Sequence, residues 1–292
     1  MINNNIAIGS SSFYKLPKRR LFNFLDEVWV LGIRILDTAP IYGNSEALIG
    51  EYIQSSGNSF SVLTKLGLKD YRHLNKKSVM NQFESSLERL RDNSIQTLFL
   101  HSIPYSFIGE DLLESLQSLK NDARVERIGY SGDNEDLDFA ITSGYFDDFM
   151  VSMNLLDMSN FDFVGKMTEG KHLYIKRPLA NAVWRHWYFN RFKFQFFKIL
   201  GASRANDTHN YFFRYQIRRR SLPSPKSSAF SFLKFVASIP RDKVIVVGTT
   251  DIDHIKFTLS SLHTSNFVDT KYFIENYESW NNDNKYHWRA MR

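Results

Sequence analysis

Residues 34–43 read RILDTAPIYG, a short apolar strand that ends at an acid and runs into a loop carrying a tyrosine. Apolar runs of this kind alternate with amphipathic helical stretches along the chain, a pattern typical of repeated βα units around a parallel sheet. The predicted strands are residues 6–9, 34–37, 61–65, 97–101, 128–131, 149–153, 173–176 and 244–248. Because eight strands close a barrel, we predict an α/β fold, a (β/α)8 TIM barrel, as a single domain over residues 1–292.

The segments between the predicted strands show the periodicity of amphipathic helices. Residues 76–90 place Val79, Phe83 and Leu87 four positions apart, which forms one apolar face. Residues 110–121 carry a comparable stripe of leucines. Both segments are therefore predicted as helices that pack on the outside of the barrel.

Capping residues mark three further helices. Asp133 and Asn134 are expected to cap a helix over residues 135–143, since short polar side chains satisfy free N–H groups at a helix start. Asp251 is expected to cap the helix after the last strand. Residues 227–238 form the predicted helix before that strand.

Four ionisable residues lie at or just after successive strand ends, namely Asp37, Tyr42, Lys65 and His101. Strand ends of a closed barrel converge on one mouth, so these side chains can meet although they are far apart in sequence. A buried lysine stabilises a phenolate, which suits Tyr42 to act as a general acid. Asp37 would keep Lys65 charged, and a neutral His101 would orient the substrate oxygen.

The stretch LDTAPIYGNSEALIGEYI, residues 36–53, resembles the signature of the aldo-keto reductase family. The signature residues matched are Asp37, Ala39, Tyr42, Gly43, Glu46 and Gly50. The family's catalytic lysine and histidine are matched by Lys65 and His101. The resemblance implies a barrel enzyme that binds NADPH or NADH and transfers hydride to an aldehyde or ketone.

The same resemblance implies a set of cofactor-binding residues. These are Ser131 after strand five, Leu179 in IKRPLANAVW after strand seven, and Gly248, Thr249, Thr250 and His254 in VIVVGTTDIDHIKFTL. The hydroxyls and backbone donors of Thr249 and Thr250 precede a predicted helix start, which favours binding of a phosphate.

Several positions depart from the family pattern. The asparagine after Ser131 is replaced by Gly132, and the strand-six glutamine by Met150, which cannot make the same hydrogen bonds. Gly248 and His254 replace basic readers of a 2′-phosphate, and Thr258 replaces an adenine-contacting asparagine. The sequence therefore leaves the choice between NADPH and NADH open, and it keeps a second hypothesis: a regulatory or cofactor-binding barrel subunit with little turnover.

Composition limits the class of protein. The chain has 292 residues, 43% of them hydrophobic, and no cysteine, which excludes disulfides and thiolate chemistry. No apolar run reaches the roughly 18 residues of a membrane span, and no signal peptide pattern is present, so we expect a cytoplasmic protein. The histidines have no spacing that indicates a metal site.

The positive charge is concentrated in residues 184–228, a loop predicted after strand seven. This segment holds ten lysines and arginines and one acid, Asp207, although the whole chain carries a net charge of only +6. Alternating aromatic and basic residues are compatible with nucleic-acid binding. We favour a lid over the barrel mouth, no nucleic-acid partner, and a small carbonyl substrate that is anionic or of the sugar type.

Overall fold

A computed structural model describes residues 3, 5–67, 71–92, 94–186 and 225–263. Its eight strands are parallel, and each pairs with its neighbours in the sequence. The last strand pairs with the first, Ile245 opposite Ile6, so the sheet closes and the predicted (β/α)8 fold is confirmed. The strands are β1 (Ile6–Gly9), β2 (Ile35–Asp37), β3 (Ser61–Leu66), β4 (Ile95–His101), β5 (Val125–Ser131), β6 (Asp148–Ser152), β7 (His172–Lys176) and β8 (Lys243–Val247).

A helix follows each strand. These helices are α1 (Lys18–Val30), α2 (Ser45–Ser56), α3 (Lys76–Leu90), α4 (Glu110–Asn121), α5 (Asn134–Thr142), α6 (Phe161–Gly165), α7 (Pro225–Ser238) and α8 (Ile252–His263). Short 3-10 helices occupy Phe13–Lys15, Tyr71–His73, Tyr105–Phe107 and Ala180–His186. The bounds of α3 and α4 agree with the sequence prediction.

Helix α3 shows how local sequence sets an element. The Asn75 side chain accepts a hydrogen bond from the Ser78 backbone N–H at 3.0 Å, and the Ser78 hydroxyl accepts one from the Asn75 N–H at 2.9 Å. This reciprocal capping satisfies two N–H groups that a helix start leaves free. The predicted apolar stripe of Val79, Phe83 and Leu87 is buried, as expected of a helix that packs on the barrel.

The predicted role of Asp133 is wrong. Asp133 directly precedes α5, but its side chain makes no capping bond, and Asn134 lies inside the helix. The Asp133 carboxylate instead accepts the Ser152 backbone N–H at 2.7 Å and lies 3.4 Å from the ammonium of Lys176. The carboxylate is thus already engaged by residues of β6 and β7, which accounts for the missing cap.

Two other boundaries bear on the site. The Asp251 carboxylate accepts the Asp253 backbone N–H at 2.9 Å just before α8, so its predicted cap is confirmed. Strand β8 ends at Val247, one residue earlier than predicted, which leaves Gly248 in the loop before α8. Strand β6 is likewise one residue earlier, and its last residue, Ser152, lies opposite Lys176 of β7.

A layer of inward-facing apolar side chains fills the barrel beneath its mouth. It consists of Ala7, Ile35, Leu63, Phe99, Met150, Tyr174 and Val246. A β-carbon at Gly129 would come within 2.4 Å of the Phe99 ring, so only glycine leaves room for that ring. Truncating Phe99 to alanine is expected to cost about 3–5 kcal/mol, as for other buried aromatic residues.

The chain divides into two compact units. The first holds all eight strands and α1 to α6. Among the described residues, the second holds 153–158, 178–186, 225–240 and 258–263, and it includes α7, which buries Phe232, Leu233, Phe235 and Val236. A single domain over residues 1–292 remains a prediction.

Most of the predicted basic loop, residues 187–224, lies outside the described residues. Its two ends belong to the 3-10 helix Ala180–His186 and to α7, which begins at Pro225 rather than at residue 227. In the described part of the chain, no helix has the length and apolar character needed to cross a membrane.

Candidate active site

An ion pair between Asp37 and Lys65 lies at the ends of β2 and β3. The Lys65 ammonium donates to the Asp37 carboxylate and, at 2.8 Å, to the Thr38 carbonyl oxygen. Both residues are buried, with Lys65 2% and Asp37 5% exposed. Two hydrogen bonds therefore fix the position of a cation that is almost entirely removed from solvent.

Burial and charge act in opposite directions on this pair. Burial alone lowers the pKa of Lys65, but the negative charges of Asp37 and Glu46 and the proximity of Tyr42 outweigh it, so the pKa is raised. Burial raises the pKa of Asp37, and the neighbouring Lys65 and Lys176 only partly oppose this rise. Lys65 therefore remains a cation at neutral pH.

Tyr42 is fixed by the loop after β2. Its backbone N–H donates to the Ala39 carbonyl at 2.9 Å, and its own carbonyl accepts the Ser45 hydroxyl at 2.8 Å. Ser45 also bonds the Ser10 carbonyl at 2.9 Å, which ties this loop to the end of β1. The tyrosine ring lies with its centre 5.3 Å from the Lys65 ammonium nitrogen.

His101 ends β4 and faces Tyr42. The two ring centres lie 6.3 Å apart and the ring planes are nearly perpendicular. Burial, followed by the positive charges of Lys65, Lys176 and Arg177, lowers the pKa of His101 to about 2. A neutral imidazole at this position can donate one hydrogen bond without introducing a charge. The structure thus brings together all four residues predicted for catalysis.

Ser131, predicted to bind cofactor, ends β5 opposite His101 and Met150 in the strand register. The residue is almost fully buried, and its backbone carbonyl accepts the Ser102 hydroxyl at 3.1 Å. Met150 belongs to the apolar layer of the barrel and contributes no polar group. Of Ser131 and Met150, only Ser131 has a side chain that can hydrogen-bond a carboxamide.

The other predicted cofactor residues divide between two places. Gly248, Thr249 and Thr250 form the loop between β8 and α8, and a β-carbon at Gly248 would meet open space. His254, in the first turn of α8, contacts the Thr249 hydroxyl at 3.2 Å. Leu179 belongs to the second compact unit, where its carbonyl accepts the Ala182 N–H at 2.7 Å.

A second charged network at the strand ends was not predicted from the sequence. The Asp133 carboxylate contacts Ser152 and Lys176, as described above, and it also accepts a hydrogen bond from the Asn160 amide at 2.9 Å. Arg177 donates to the Ser152 hydroxyl at 3.2 Å. Burial alone raises the pKa of Asp133, but Lys176 and Arg177 outweigh it and lower the pKa. Lys65 is predicted from the sequence because it is a charged residue at a strand end. The same criterion would have selected Lys176, the last residue of β7.

These features define a class of protein: a parallel (β/α)8 barrel with a cluster of ionisable side chains at the carboxyl ends of its strands. Residues 5–161 match the model of the Aldo/keto reductase family. Because this match covers more than half of the chain, the protein belongs to that family.

Individual relatives agree with this assignment. The L-galactose dehydrogenase of Arabidopsis thaliana is 30% identical over 115 residues, which are 36% of this chain and 36% of that enzyme, so the match spans about a third of its length. An aldo-keto reductase from Bacillus halodurans in its holo form has a TM-score of 0.71 and 17% identity, over 93% of this chain and 91% of the other. A Klebsiella pneumoniae aldo/keto reductase in complex with NADP and acetate has a TM-score of 0.65 and 15% identity, over 94% and 90%. These structures share the fold.

Proposed function

We propose that this protein is an NAD(P)H-dependent carbonyl reductase with Tyr42 as the general acid. The observation that carries the proposal is the buried, charged Lys65 beside the Tyr42 ring, with a neutral His101 facing the same ring. A bound nicotinamide cofactor supplies the hydride. Tyr42 gives its proton to the carbonyl oxygen as that oxygen becomes a hydroxyl, and the Lys65 ammonium stabilises the phenolate that remains.

The other residues have supporting roles. Asp37 holds the ammonium of Lys65 against the Thr38 carbonyl, so the cation cannot turn away from Tyr42. The imidazole of His101 donates a hydrogen bond to the substrate oxygen and orients it toward the phenol. Because His101 stays neutral, it does not repel Lys65 and does not compete with Tyr42 as proton donor.

The residues present are compatible with a nicotinamide cofactor. The Ser131 hydroxyl, at the end of β5, suits the carboxamide. Gly248, Thr249 and Thr250 precede α8, where N–H groups and hydroxyls suit a phosphate. A solved relative with the same fold binds NADP, which supports the same assignment.

We further propose a sugar-type carbonyl as substrate, since one relative is named for L-galactose. The experiment is a panel of aldehydes and ketones in which oxidation of NADPH or NADH is followed with the wild type and with Tyr42→Phe. We expect turnover in Tyr42→Phe to fall by about 10²–10⁴-fold, the usual contribution of a positioned acid, with cofactor affinity nearly unchanged. Undiminished turnover would remove Tyr42 from the mechanism.

The alternative, a cofactor-binding subunit with little turnover, gives a different result. Cofactor fluorescence would then saturate on binding, but no carbonyl in the panel would be reduced. Met150 and Gly132, neither of which offers a side-chain amide to the cofactor, are the residues that favour this alternative.

A further inference from the structure

Helix α3 carries a polar stripe beside its buried apolar face. Asn81, Ser85 and Arg89 follow one another at four-residue intervals, so they lie above one another along the helix. All three line a cavity of about 320 Å³. Besides this stripe, the cavity is lined by Gln82, Lys65 and His101. The stripe and two of the reactive residues therefore share one cavity.

Two polar groups in this cavity are held in place by the protein. Arg89 donates from Nε to the Glu46 carboxylate at 2.7 Å and from Nη2 to the Ser86 hydroxyl at 3.2 Å. Glu46 is only 1% exposed and also accepts the Thr64 hydroxyl at 2.6 Å. The guanidinium is thus fixed along one edge.

Gln82 is held by the chain at the end of β3. Its side-chain oxygen accepts the Gly67 backbone N–H at 3.0 Å. Gly67 has a φ of 93°, and a β-carbon there would come within 2.5 Å of the Ile103 side chain, so another residue would strain the backbone and displace Ile103. By contrast, the side chains of Asn81 and Ser85 make no hydrogen bond to any described residue.

The charges in the cavity are balanced. Glu46 neutralises Arg89, Asp37 neutralises Lys65, and His101 is neutral. What remains is amide and hydroxyl groups at a spacing of one helical turn, about 5.4 Å. Such groups exchange hydrogen bonds with hydroxyls, and a volume of about 320 Å³ lies within the range of small-molecule sites.

We infer that the α3 stripe is the subsite that selects a polyhydroxylated carbonyl compound, with Asn81 and Ser85 binding its hydroxyl groups while its carbonyl lies at His101 and Tyr42. This deepens the proposed function and rests on it. The stripe lies outside the four residues assigned to the chemistry, so specificity and catalysis can be separated by substitution.

The test compares a four-carbon aldose with butanal in the double variant Asn81→Leu/Ser85→Ala. We expect the ratio of kcat/KM for the aldose to kcat/KM for butanal to fall at least about 10-fold, since two hydrogen bonds are lost. The matched control is Gln117→Leu, which makes the same amide-to-leucine change on the exposed face of α4 and should leave the ratio unchanged. An unchanged ratio in the double variant would overturn the inference.

A binding measurement separates this inference from the proposed chemistry. A four-carbon alditol, which has hydroxyls but no carbonyl, is titrated calorimetrically into the wild type and the double variant with cofactor present. Binding that the double variant loses supports the subsite even if neither aldehyde is reduced, an outcome that would reject only the reductase proposal. Equal binding by both proteins, or none by the wild type, would overturn the subsite.

Discussion

At His101, the same burial and positive charge that favour a neutral imidazole also impose a cost on folding in acid. The pKa is lowered from 6.5 to about 2 in the folded protein. Between these values the unfolded chain binds a proton at this residue and the folded protein does not. The contribution of His101 to the free energy of unfolding is therefore fully present above pH 6.5. It is lost as the pH falls from 6.5 toward 2.

We expect His101→Gln to remove this dependence. Urea unfolding is measured at pH 7 and at pH 5. Between these two values, the free energy of unfolding of the wild type should fall by about 2 kcal/mol more than that of the variant. His73→Gln, which changes an exposed histidine outside the site, is the matched control and should keep the wild-type slope. Equal slopes in wild type and His101→Gln would mean that His101 is protonated in the folded state.

Individual residues also show what the sequence could predict. Asp37, Lys65 and His101 were predicted because they end strands, and parallel strand ends in a barrel meet at one mouth. Lys176 ends a strand in the same way, but its role depends on a partner, Asp133, whose sequence context equally indicates a helix cap. Only the folded structure decides between these two uses of one carboxylate, because the partners come from different βα units.

At the scale of elements, the loop between β8 and α8 bears on the choice of cofactor. The Asp251 carboxylate lies 3.7 Å from the His254 imidazole, and the Thr249 hydroxyl contacts the same ring. A 2′-phosphate at His254 would therefore face a like charge. We therefore expect this loop to disfavour NADPH, for an electrostatic reason that the substitution at Gly248 alone does not reveal.

We expect Asp251→Asn to shift the ratio of kcat/KM for NADPH to kcat/KM for NADH toward NADPH by about 5-fold, the size of one exposed charge interaction. The amide can still cap α8, so the helix should be unaffected. Asp253→Asn, on the first turn of the same helix and near Lys256, is the matched control. If both variants shift the ratio equally, general surface charge rather than Asp251 is responsible.

The elements themselves were largely predictable, and their ends less so. The apolar periodicity of α3 and α4 gave their bounds, since a helix that packs on a barrel must bury one face. The one-residue shifts of β6 and β8 could not be read from the sequence, because a strand ends where its partner's hydrogen bonds end, and the partner lies elsewhere in the chain.

At the scale of the whole molecule, the net charge of +6 arises from residues 184–228, and the remaining residues are slightly acidic. The length of the chain allowed one domain or two, and only the strand-helix alternation favoured a single barrel. The basic segment has no such periodicity, so its function was not predictable from pattern and rests on charge alone.

If this segment attracts the cofactor phosphates, replacing Arg218, Arg219 and Arg220 with glutamine should raise KM for the cofactor. The increase should shrink at 1 M salt, where the Debye length is about 3 Å. Kinetics at low and high salt, beside a titration with RNA and DNA, measure both effects. The control replaces Lys18, Arg19 and Arg20, a similar basic run in α1, with glutamine. If the arginine substitutions abolish nucleic-acid binding and leave KM for the cofactor unchanged, the segment binds nucleic acid rather than cofactor.

The pairing of Ile6 with Ile245 has a consequence for how the protein is made. At about 5–20 residues per second, the ribosome completes β8 roughly 12–50 seconds after β1 has been synthesised. Until then β1 and β7 are open edges of an unfinished sheet, and such edges pair readily with other chains. We therefore expect chains truncated before β8 to aggregate more readily than the full chain, although they already contain the strands that carry Asp37, Lys65 and His101.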